Sequence, residues 1–94
     1  MAFYIPIRLV EESADCAVYE YSQAVLEPDP ERRGRFKTVR TNVGLVTVSK
    51  VSDSIEQVSG DEWDSDRRYF VRVAAKLREC QEAGLFPSAL SYSA

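Results

Sequence analysis

The sequence predicts an α+β fold: an antiparallel sheet of four to five strands with one long C-terminal helix packed on one face. Three observations lead there. Asp64 to Gly84 is the only long stretch with helical periodicity, because Phe70, Val73, Ala74, Leu77 and Cys80 fall at i, i+3, i+4, i+7 and i+10 on one stripe. Shorter stretches rich in Val, Ile, Tyr and Thr precede it with period-two or β-forming character. Short polar connections join these stretches, which makes neighbouring strands antiparallel.

Phe3 to Val10 is the first strand, with Phe3, Ile5, Ile7 and Leu9 on one face and Tyr4, Pro6, Arg8 and Val10 on the other. Pro6 cannot donate to a ladder, so an edge strand, or one whose N–H side faces outward, is expected. Glu12 to Asp15 reads as a hairpin loop and Cys16 to Ser22 as the second strand. Glu27-Pro28-Asp29-Pro30-Glu31 predicts an extended, solvated loop. Gly44 to Lys50 is a further strand, turned through Val51 to Ser54 into Ile55 to Val58. On the helix, Asp64 or Ser65 caps the start, acidic Asp66 lies in the first turn and Gly84 supplies the left-handed stop. Leu85 or Phe86 should fold back on the helix end, and Ser88 to Ala94 either frays or adds a last extended piece.

The 94 residues suit a single domain, 1–94. The absence of histidine removes Ser-His-Asp and Cys-His nucleophilic catalysis and nearly all zinc chemistry. Cys16 and Cys80 form neither a disulfide framework nor a metal site; two reduced thiols are expected, with a bridge between them left open. A net charge of −3 and a pI near 4.9 argue against a general nucleic-acid binder. No apolar run reaches the ~20 residues that span a bilayer. The start, MAFYIPIRLVEE, lacks a basic n-region, so a cytoplasmic location is expected.

Two charge concentrations stand out. Arg32 to Arg40 holds the one basic cluster, read either as a phosphate or acidic-partner contact with Phe36 available for stacking, or as a solvated strand face. From Asp53 to Asp66 six acids follow one another with no base between them. Asp64-x-Asp66 fails the calcium-loop pattern, since Arg68 replaces the next ligand and Tyr69 stands where glycine is needed. Paired catalytic carboxylates have no second feature behind them. What survives is a recognition patch around Trp63, beside the reading of Trp63 as a lid over the helix start.

FYIPIRLVEES, GLVTVSKVSDSIEQV and YFVRVAAKLRECQEAGLFP resemble a group of small bacterial single-domain proteins, similar in kind to the immunity proteins of polymorphic toxin and type VI secretion systems. The resemblance rests on hydrophobic pattern and on Gly84-Leu85-Phe86-Pro87, with Pro28 to Val43 an extension relative to that pattern. It implies a non-enzymatic inhibitor that blocks a cognate toxin. It transfers no functional residues.

The expected function is therefore a protein-binding module without catalytic residues, metal or cofactor, meeting its partner through Asp61, Glu62, Trp63 and Asp64, or through Arg32 and Arg35. The alternative is a nucleic-acid or phosphate-binding module using residues 32–40.

Overall fold

A computed structural model describes residues 4–93; Phe3, assigned above to the first strand, lies outside the described residues. The chain runs β1 (Tyr4–Glu12), β2 (Cys16–Pro28), β3 (Phe36–Ser49), β4 (Ile55–Ser59), α1 (Arg68–Ala83) and β5 (Ala89–Ser93). The five strands form one antiparallel sheet in the order β4-β3-β2-β1-β5. The expected α+β class and antiparallel sheet are present.

Alternation along the strands sorts the core. Ile5 and Ile7, Ala17, Tyr19 and Tyr21, and Val46 and Val48 are buried and share one side of the sheet. Phe70, Val73 and Leu77 of α1 join them in one cluster, as the helical stripe requires. Ala74 packs against that cluster half-buried, and Cys80 is also half-buried.

Several boundaries differ from expectation. β1 is not an edge strand: the extended alternative for the last segment holds over Ala89–Ser93, and β5 pairs with β1 from Tyr4↔Ser93 to Arg8↔Ala89. Pro6 is accommodated because the ladder to β2 begins only at Ile7↔Tyr21. β2 does not stop at Ser22 and β3 does not start at Gly44; the pair runs out to Pro28↔Phe36. The helix is 16 residues long and begins at Arg68 rather than Asp64. Its N-terminal boundary is Arg67, held in the left-handed region at φ 58°, so Asp64 to Asp66 form a turn ahead of the helix and no acid lies in its first turn.

The C-terminus of α1 follows its signal. Gly84, at φ 70°, donates its N–H to the Gln81 carbonyl, while the Leu85 N–H reaches the Cys80 carbonyl, the paired bonds of a Schellman stop. Phe86, not Leu85, then packs on the core, with the Lys50 ammonium 5.1 Å from its ring. The Tyr19 hydroxyl donates to the Pro87 carbonyl at 2.8 Å and delivers the chain into β5. In the same last turn of the helix, the Gln81 amide donates to the carbonyls of Ser49, Ser52 and Ser54 and clasps the β3–β4 turn. Cys16 and Cys80 are both free thiols. Among the described residues no helix is long and apolar enough to cross a membrane.

Candidate interaction site

The most distinctive feature follows from a mismatch in strand lengths. β2 and β3 have 13 and 14 residues, but β1 pairs with β2 only as far as Tyr21, and β4 pairs with β3 only as far as Leu45. Beyond Tyr21↔Gly44 the hairpin therefore leaves the sheet as a two-stranded arm, in a molecule 51 Å long and 24 by 22 Å across. The change is written in the inward row. Up to Tyr21 and Gly44 it is apolar; beyond, it reads Gln23 opposite Asn42 and Val25 opposite Arg40, and cannot extend the core.

The arm bears apolar side chains without a core beneath them. Leu26 and Phe36 are 55% and 66% exposed, and Val39 and Val43 are exposed as well. Opposition to Ser22, Leu26 and Pro28 places Val43, Thr38 and Phe36 on the outer face. A bulge leaves Val39 without a partner on β2. The tip, Asp29 to Arg35, is closed by Asp29 N–H to Arg35 O and by the Asp29 carboxylate accepting from the Glu31 N–H, so the expected extended loop is a compact turn. Arg32, Arg33 and Arg35 are exposed on it, and Lys37 and Arg40 follow on β3. Among the described residues none of these five cations is in an ion pair.

The root of the arm is where the acidic run ends. The Trp63 indole donates to the Val43 carbonyl at 2.9 Å and packs against the rings of Tyr21 and Tyr69, with centroids 5.6 and 5.5 Å away. It is half-buried and acts as the lid over the helix start. Gln23 bridges arm and helix, donating to the Tyr69 hydroxyl at 2.9 Å and accepting from Asn42 at 3.0 Å. Asp61 and Glu62 are exposed beside Trp63.

Asp64 is the correction. It is 1% exposed, so it presents nothing to a partner. Its carboxylate accepts the N–H groups of Tyr69 at 3.0 Å and Phe70 at 2.8 Å, and the Tyr21 hydroxyl at 3.2 Å. It thus satisfies the first turn of α1 from four residues before the helix begins. Gln57 donates to the same Tyr21 oxygen at 2.8 Å, completing a buried polar cluster under the root.

The expected contact residues therefore fall in three places. Asp61, Glu62 and Trp63 sit together at the root, Arg32 and Arg35 at the tip, and Asp64 inside. Phe36 to Val43 spans about 23 Å at ~3.3 Å per residue, so root and tip do not meet within one chain. No three of the acids between Asp53 and Asp66 gather closely enough to hold a metal ion. Sequence reasoning missed Leu26, Val39 and Val43 as exposed arm residues. The signal was available in Thr38, Val39, Thr41 and Val43, β-branched residues contiguous with the next strand.

Two hydroxyls under the sheet are perturbed. Burial pushes Tyr19 up to about 12, with the neighbouring Cys80 and Glu12 charges adding to it. Burial also pushes Tyr21 up to about 12, where the Gln57 hydrogen bond opposes and the Asp64 carboxylate reinforces the rise. Both are raised acids, so the folded state keeps its protons while the unfolded chain loses them near pH 10. Stability should be unaffected by these groups below about pH 10 and fall between about pH 10 and 12, by about 2 kcal/mol for each. Urea midpoints measured from pH 8 to 11.5 check this, and Tyr19→Phe should flatten part of the decline.

Comparison with protein-family models, with curated proteins and with solved structures finds no match to this chain.

Proposed function

We propose that this chain is a non-enzymatic protein-binding module that docks through the β2–β3 arm. The observation that carries the reading is the arm itself, a projecting ribbon with four exposed apolar residues and five cations that form no ion pair among the described residues. An isolated two-stranded hairpin is marginal in water, and an exposed apolar patch beside charge is typical of a docking surface. The reading also takes α1 to cover only the inward side of the sheet, supported by the single cluster that holds Phe70, Val73 and Leu77. That leaves the outer face of the arm, with Leu26, Phe36 and Val43, free to meet a partner.

In its finer form the module is an immunity-type inhibitor, acting in the cytoplasm, that occludes a cognate toxin. Stoichiometric occlusion needs no reactive group, which suits a chain without histidine. Arg32 and Arg35 at the tip steer and anchor on an acidic region of the partner, and Asp61 and Glu62 at the root fix orientation through a basic one. Association kinetics with the product of the adjacent reading frame, at two salt concentrations, test this. Arg32→Ala and Arg35→Ala should slow association and weaken its salt dependence, while Phe36→Ala should speed dissociation. Wild-type rates for all three would remove the arm from the interface.

A second reading has one observation in its favour. A two-stranded ribbon fits the DNA major groove, and those cations with exposed Phe36 supply phosphate and stacking contacts. Retention on DNA or RNA that falls steeply with salt, at a slope of ~0.9 per phosphate contact, would favour it over the protein partner.

A further inference from the structure

The arm also fits a second copy of this chain. Between Glu27 and Arg40 lie five bases and three acids, a net of +2, so the remainder carries −5 of the total of −3. The positive end is the tip, and two exposed acids of the body, Asp61 and Glu62, stand at the root beside Trp63. Neither group has an ion-pair partner among the described residues, and the length of the arm keeps them apart in one chain. Charge of opposite sign at the two ends of one rod is self-complementary when two rods lie antiparallel.

The strand edge supports the same arrangement. β4 ends at Ser59, opposite Leu45, so the edge of β3 from Phe36 toward Val43 has no strand beside it. Trp63 closes that edge at the Val43 carbonyl. We propose that two copies pair their β3 edges about a two-fold axis between Val39 and Arg40, the tip of each arm reaching the root of the other. Thr38 of one copy then lies against Thr41 of the other and Lys37 against Asn42, while Phe36 stops at Trp63, which already holds the Val43 carbonyl. Because the bulge makes Val39 an extra residue, each of these pairs shares a face, as opposed residues must. No like charges are opposed. A two-residue slip toward the tip would set Lys37 against Arg40. One toward the root would set Phe36 against Leu45, where Ser59 of β4 already pairs, so both alternatives to this register are disfavoured. The second copy's Phe36 arrives at Trp63, and its Arg35 comes next to Asp61 and Glu62, which follow β4 after Gly60.

This inference uses the same arm but does not depend on a foreign partner, and its test needs none. Sedimentation equilibrium of the wild-type protein should show a concentration-dependent dimer of twice 10.6 kDa, weakened about tenfold or more on raising salt from ~0.05 to ~0.5 M. Arg32→Glu with Arg35→Glu should be monomeric at concentrations where wild type is dimeric, and so should Asp61→Lys with Glu62→Lys. All four positions are exposed, so folding is checked simply by matching circular dichroism. An equimolar mixture of the two double variants should regain the dimer, since each tip then meets a root of opposite sign. A monomeric wild type, a dimer indifferent to both double variants, or a mixture that stays monomeric would each overturn the proposal, and the foreign-partner reading keeps its own kinetic test.

Discussion

Asp64→Ala should lower the unfolding free energy by about 3 kcal/mol or more, as expected for leaving three buried donors without their shared acceptor. The reason lies in what the substitution abandons. The N–H groups of Tyr69 and Phe70 and the Tyr21 hydroxyl all donate to this one buried carboxylate. Each buried donor left unsatisfied costs about 1–3 kcal/mol, though the three are not additive. Arg67 offers no replacement cap, because its side chain makes no capping bond. Asp64→Asn keeps one oxygen acceptor and should cost roughly half as much. Urea denaturation at pH 7 measures both, and amide exchange at residues 68–70 should accelerate in the alanine variant. A loss below about 1 kcal/mol for Asp64→Ala would mean that the cluster under the root is not what fixes the helix start.

Gly60→Ala should be comparably damaging, at about 3 kcal/mol or more. Gly60 sits at φ 105°, outside the range an alanine adopts without strain, and an added Cβ would lie 2.8 Å from the Gly44 Cα and 3.1 Å from the Tyr21 hydroxyl. The obstacle is backbone on β3, so nothing can rotate aside. Gly44 is tight for a related reason: the Tyr21 ring lies over it, and a Cβ there would meet the ring carbon Cζ at 2.5 Å. Gly34 is the control. It too has a positive φ, 77°, but an added Cβ meets nothing within 4 Å, so Gly34→Ala should cost only the conformational term of about 1 kcal/mol. Equal denaturant midpoints for the Gly34 and Gly60 variants would contradict this account of the root.

What the sequence made legible was whatever touches the core. The phase of α1, the inward rows of β1 and the first half of β2, and the β3–β4 hairpin all follow from apolar spacing, because burial is what that spacing records. The arm was illegible for the same reason: its inward row turns polar at Gln23 and Asn42, so the period that marks a strand disappears while the backbone ladder continues. β5 is only five residues long and its place beside β1 is decided by the turn at Gly84 and the Tyr19–Pro87 bond, not by its own composition. The helix start moved because Asp64 caps from a distance through a turn at Arg67, whereas a local cap is all that spacing can suggest. Of the candidate contacts, Arg32, Arg35, Asp61, Glu62 and Trp63 were visible as charge and aromatic character. That they occupy the two ends of one rod is a property of topology, and Asp64 was misassigned because an acid beside exposed acids gives no sign of burial.

The central claim, that the arm serves docking and not folding, is tested most directly by shortening it. Replacing residues 24–41 with an Asn-Gly turn joins Gln23 to Asn42, which already face each other, through a connection that favours a two-residue hairpin. The root cluster and the core keep every contact described above. The shortened chain should unfold within a few degrees of the wild-type midpoint, since the ~1 kcal/mol scale of an exposed hairpin is all it loses. At the same time the proposed partner binding, measured by titration calorimetry of the product of the adjacent reading frame against the shortened and the full chain, should disappear in the shortened one. Binding retained at wild-type affinity by a folded, shortened chain would contradict the claim.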